Sequence, residues 1–151
     1  MKTDIKTYIE EHQPRFLEEL FGVLRIPSIS PSPNHKNDMK KAADYICLAI
    51  KEAGADDAKV IPTKGNPVVY GEKTIGDNRP TILVYGHYDV MPVEPLDAWK
   101  SSPFEPVIKD GRIWARGAND DKGQLFMHIK AFEYLVKSET LKCNVKFMIE
   151  G

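Results

Sequence analysis

Apolar side chains recur at helical spacing through the first part of the chain. Ile5, Tyr8 and Ile9, then Phe16, Leu17, Leu20, Phe21 and Leu24, predict a helix over residues 4–25. Pro14 predicts a break or kink near its middle. A proline- and serine-rich loop follows, Ile26-Pro27-Ser28-Ile29-Ser30-Pro31-Ser32-Pro33-Asn34. A second stripe, Met39, Ala42, Ala43, Ile46, Cys47 and Ile50, predicts a helix capped by Asn37 or Asp38 and ended at Gly54. The period then shortens. Val60-Ile61, Val68-Val69-Tyr70 and Thr81-Ile82-Leu83-Val84-Tyr85 read as strands, the last as a buried one. Asp110-Gly111 turns into a short strand, Arg112-Ile113-Trp114. Leu125, Ile129, Phe132, Leu135 and Val136 predict an amphipathic helix over residues 124–137, and Val145-Lys146-Phe147-Met148-Ile149 a final strand. Alternating helices and strands predict a layered α/β/α fold with a largely parallel or mixed sheet.

Composition narrows the function classes. The 151 residues carry a formal net charge of −1 with both signs mixed, which leaves no electrostatic footprint for nucleic acid or an anionic membrane. No apolar run approaches the ~20 residues that span a bilayer. The opening Met1-Lys2-Thr3-Asp4-Ile5 lacks the apolar core of a leader. Cys47 and Cys143 stand far apart and read as reduced core residues, so a cytoplasmic location is expected.

Chemistry concentrates in two segments. In Gly86-His87-Tyr88-Asp89-Val90, at the end of a strand, His87 and Asp89 stand at i and i+2 and project to one side. They suit either a structural histidine–carboxylate pair or a metal-binding imidazole oriented by its neighbour. In Arg116-Gly117-Ala118-Asn119-Asp120-Asp121-Lys122-Gly123, adjacent carboxylates lead into a helix. Asp121 suits a first-turn acid favoured by the helix dipole. Gly117 and Ala118 leave room beside Asp120 for something bulky, and a carboxylate there can bridge two cations. Lys122 is read as pairing with either aspartate or as solvated. His12, His35 and His128 are read as exposed or half-buried bystanders, and Trp99, Phe104 and Trp114 as core or domain-boundary packing residues or as the lining of a substrate pocket.

Taken with Met91-Pro92, Trp99-Lys100-Ser101-Ser102-Pro103-Phe104 and Asp110-Gly111, these segments resemble the carnosinase and aminoacylase family of co-catalytic zinc hydrolases, nearest its dipeptidase branch. The resemblance implies a zinc-exopeptidase-like fold in which His87 ligates one metal, Asp120 bridges two, and Asp89 is the active-site acid that orients His87. It implies a cis peptide bond between Asp120 and Asp121. It also implies two divalent cations, zinc with manganese or cobalt as options, and small peptides as substrates.

Family members continue from a Glu-Gly pair, here Glu150-Gly151, into two glutamates, a general base and a metal ligand. The expectation is therefore that residues 1–151 are the N-terminal portion of a catalytic domain. The remainder, and the lid domain through which the full-length enzyme forms a homodimer, lie beyond it. Alone, this portion is expected to bind metal weakly and to be inactive. Two other readings stay open: an N-acyl amino acid deacylase or desuccinylase, and a catalytically dead scaffold of the same fold.

Overall fold

The computed structural model describes residues 4–151; residues 1–3, part of the segment read as lacking a leader core, lie outside the described residues. Helix α1 (Ile5–Leu24) starts at Asp4, whose carboxylate accepts from the Lys6 N–H at 3.1 Å, and runs through Pro14 without interruption. Helix α2 (Lys36–Glu52) begins before either expected cap. A single 3-10 turn, Pro33–His35, feeds directly into it, and Asp38 instead bonds the His35 imidazole and Lys41.

Four strands, β1 (Asp57–Ile61), β2 (Val68–Lys73), β3 (Thr81–His87) and β6 (Asn144–Glu150), form one mixed sheet in the order β1-β2-β6-β3. The first two pairings are antiparallel and β6–β3 is parallel. Between β3 and β6 come the small hairpin β4 (Val107–Lys109) and β5 (Arg112–Trp114), then helix α3 (Lys122–Lys137). The β3–α3–β6 unit is thus a crossover between parallel neighbours, the connection that parallel pairing requires.

Burial alternates along β6: Val145, Phe147 and Ile149 are buried, while Lys146, Met148 and Glu150 are exposed. The buried set meets α2 and α3, whose own stripes (Met39, Ala42, Ala43, Ile46 and Ile50; Leu125, Ile129 and Phe132) complete the core. Phe132 meets Phe147 edge-on at 5.2 Å. Helix α1 packs outside them and is joined to α3 by a buried charged group. Glu133 accepts from Arg15, Lys130 and Tyr8.

The layered α/β architecture and the mixed sheet match the sequence reading. One detail differs. The run Thr81-Ile82-Leu83-Val84-Tyr85, read as a buried strand, is the sheet's edge, with Leu83 and Tyr85 56% and 55% exposed. Its residues are apolar on both faces, and among the described residues α2 and α3 cover one face only.

Candidate metal centre

The parallel β3–β6 pair sets the site. Its register brings His87 opposite Glu150, so both stand at the carboxyl rim of the sheet, where α/β proteins place their ligands. The Tyr88 N–H still donates to the Glu150 carbonyl at 2.9 Å, and Asp89 follows. Asp89 Oδ1 lies 2.9 Å from His87 Nδ1. The second ring nitrogen, Nε2, faces Asp120 Oδ1 at 3.2 Å. Asp120 is 81% exposed at the side chain, whereas His87 and Asp89 are half-buried. The structure thus brings together the three residues singled out in the sequence, with the imidazole between two carboxylates.

Electrostatics follow from that placement. Burial disfavours the charged imidazole, but its hydrogen bond to the Asp89 carboxylate and the negative charges of Asp89, Asp121 and Asp120 outweigh it and raise the His87 pKa.

The loop that carries Asp120 is held from three sides, and two of its anchors escaped sequence reasoning. The Asp120–Asp121 bond is cis, as the resemblance implied. Asp121 Oδ2 accepts the backbone N–H of His87 at 3.0 Å, so this carboxylate ties the loop to β3 rather than acting as a first-turn acid. Lys122, read as paired or solvated, is fully buried and donates to the carbonyls of Val23 (3.0 Å) and Ile26 (2.7 Å) at the end of α1. Burial pulls its pKa down to about 7, against the raising charges of Asp89 and Asp38.

The third anchor is Gly117. Its φ of +81° belongs to the left-handed region, and a Cβ there would come within 2.9 Å of Val90 and 3.2 Å of the Lys122 stem. These side chains fill the space at Gly117 itself, while Asp120 stays open to solvent. A signal for Asp121 and Lys122 existed only in the juxtaposition of the small-residue loop with a helix start. Their partners lie 34 to 99 residues away.

His12 stacks on Tyr8 and bonds its carbonyl, His35 bonds Asp38, and His128 is exposed. Trp99 donates to the Val93 carbonyl beneath the Arg116 guanidinium, and Trp114 is exposed on the hairpin. Both cysteines are free and half-buried.

As a donor set, an imidazole and a carboxylate with their open atoms facing each other fit a zinc-type cation. Among the described residues, no group of three or more His, Cys, Asp and Glu side chains converges on one point. No described helix is long and apolar enough to cross a membrane.

Comparison with known proteins gives the same direction. Residues 83–151 match peptidase family M20/M25/M40. The chain is 29% identical over 93% of its length to a cysteinylglycine-S-conjugate dipeptidase of Corynebacterium striatum, covering 31% of that protein. It superposes on an M20 family metallo-carboxypeptidase of Sulfolobus solfataricus with a TM-score of 0.83 at 37% identity, covering 90% of this chain and 30% of that one. A 61-residue stretch, 40% of the chain, is 49% identical to a succinyl-diaminopimelate desuccinylase of Azoarcus, of which it covers 16%. The chain spans less than a third of the length of these relatives. With the histidine and aspartates seated at the carboxyl rim of the sheet, residues 83–151 carry the match to peptidase family M20/M25/M40, and the chain as a whole is similar to metallopeptidases of that family.

Proposed function

We propose that these 151 residues are the N-terminal portion of the catalytic domain of a metal-dependent dipeptidase. In this reading His87 and Asp120 are ligands to a pair of divalent cations, Asp120 bridging them, and Asp89 holds His87. The observation that carries it is the row of contacts Asp89 Oδ1–His87 Nδ1 and His87 Nε2–Asp120 Oδ1 at the rim of the sheet. Dipeptidases among the relatives support the substrate class. A bound cation (zinc by donor chemistry, with manganese or cobalt compatible) supplies Lewis acidity and lowers the pKa of water.

The chain's own residues do the positioning. Asp89 keeps the proton on Nδ1, so that Nε2 presents its lone pair. Asp121 and Lys122 fix the loop from which Asp120 projects. With two ligands, residues 1–151 alone bind cation weakly and do not turn over peptide, because zinc held tightly takes three or four protein ligands. The remaining ligands, the general base and a dimerising lid belong to sequence beyond Gly151, a reading supported by the small share of each relative that the chain covers. The free, half-buried cysteines support a cytoplasmic setting.

In the full-length enzyme, Asp120→Ala abolishes dipeptide cleavage. Retained cleavage with normal metal content would remove Asp120 from the bridging role. Calorimetric titration of residues 1–151 with zinc gives no submicromolar affinity. The desuccinylase stretch favours a second reading, an N-acyl amino acid deacylase. A panel of dipeptides against acylated amino acids separates the two.

A further inference from the structure

The loop between α1 and α2 has a part in the site that neither the motifs nor the comparisons assign. It lies against the segment that follows β3. Ser28 donates through its hydroxyl to the Tyr88 carbonyl at 2.7 Å, and Val90 N–H donates to the Ser28 carbonyl at 2.8 Å. Ile29 and Val90 form a parallel bridge. Ser28 is fully buried, and Ile29 and Val90 nearly so. Between this anchor and the Ser32 N–H, which donates to the Ile29 carbonyl, stands Ser30. Its hydroxyl donates to Asp89 Oδ2 at 2.5 Å.

Each oxygen of the Asp89 carboxylate therefore has a separate partner: Oδ2 accepts from Ser30, and Oδ1 from His87 Nδ1. A carboxylate held at one oxygen only is free to turn about its terminal bond, which is broad and shallow. Held at both, it has one orientation, and so does the imidazole.

We propose that Ser30 is a positioning residue for His87, acting through Asp89: the Ser30 hydroxyl locks the carboxylate so that Nδ1–H is held and Nε2 is aimed at the Asp120 side of the site. The proposal rests on the metallopeptidase reading for its purpose, but its geometry and its test do not. Ser30 bonds Asp89 rather than His87 or Asp120, and a loop anchored through Ser28 and Ile29 keeps its place when the hydroxyl alone is removed.

The test follows the His87 Nδ1–H proton by NMR in the 151-residue protein labelled with 15N-histidine. Ser30→Thr and Ser30→Val form the decisive pair, since they share a shape and differ in the hydroxyl; Ser30→Ala is the second deletion. Wild type and Ser30→Thr show the downfield Nδ1–H resonance with similar exchange rates. In Ser30→Val and Ser30→Ala that proton exchanges about tenfold faster or more, the scale of losing a hydrogen bond to a charged group. Their backbone amide spectra stay those of the wild type. A His87 Nδ1–H signal equally protected in all four proteins would overturn the proposal. So would a loss in Ser30→Thr equal to that in Ser30→Val. Neither cation nor turnover enters the readout. Its failure leaves the hydrolase reading standing, and failure of the Asp120→Ala test leaves the Ser30 result untouched.

Discussion

At the scale of single residues, the contact between Asp121 and the His87 N–H ties the site to the sheet. It exists because Gly86 has no side chain. A Cβ at Gly86 would stand 2.7 Å from Asp121 Oδ2 and 3.5 Å from Leu125. Gly86→Ala therefore displaces the Asp121 carboxylate or shifts α3, at a cost of about 1–3 kcal/mol. That lowers the melting temperature by several degrees and exposes the His87 amide to hydrogen exchange, and calorimetry with exchange NMR reads both. An unchanged His87 amide would show that the contact does not hold the strand end.

Lys122→Met tests the other anchor. The new side chain matches the stem but leaves the carbonyls of Val23 and Ile26 without this donor, a loss of about 2 kcal/mol in chemical denaturation. His87 and Asp89 were readable in the sequence because their relation is local, two positions along an extended chain. Asp121 and Lys122 were not, since what defines them is distant backbone. A first-turn acid and a buried anchor look alike until the sheet is assembled.

At the scale of elements, periodicity carried α2, α3 and β6. Every apolar position of the expected α2 stripe is buried or packed against the core, and β6 alternates as a one-sided strand does. The junction of α1 with α3 was hidden because it is made of charge. Glu133, 2% exposed, collects Arg15, Lys130, Lys137 and the Tyr8 hydroxyl. Nothing in an amphipathic pattern marks a glutamate for burial.

Burial raises the Glu133 carboxyl pKa, but its hydrogen bonds to Arg15 and Lys130 and the charge of Lys130 outweigh this and hold it down to about 2. The folded-state pKa lies below the unfolded one. The ionised network thus stabilises the fold fully above the ordinary carboxylate range, and this contribution is lost as pH falls from about 5 toward 2. Its size is on the order of 3 kcal/mol. Glu133→Gln loses this part of the acid dependence. The gap in melting temperature between wild type and variant is wide at pH 7 and closes by about pH 2. A gap that stays constant with pH would mean that the carboxylate charge is not what joins α1 to α3.

At the scale of the whole molecule, the strand order explains both what was readable and what was not. Alternating helices and strands predicted layers. Placing β6 between β2 and β3 depends on pairings across more than 60 residues, which no local pattern carries. Among the described residues the same order leaves β3 at an edge and one sheet face without helices. Leu83 and Tyr85 from β3 lie on that face beside Met148 from β6, their register partners being Lys146 and Met148. Exposed apolar side chains on an edge strand bind apolar probes and invite association. The 151-residue protein is therefore expected to enhance the fluorescence of a hydrophobic dye in its folded state. Leu83→Lys combined with Met148→Lys removes most of that signal. Because both side chains project to solvent, the melting temperature moves by no more than the equivalent of about 0.5 kcal/mol per site, the range of ordinary surface changes. Dye binding that survives the double substitution would place the apolar surface elsewhere on the molecule. A collapse in stability would mean that Leu83 and Met148 pack against the protein, and the open face would have to be redrawn.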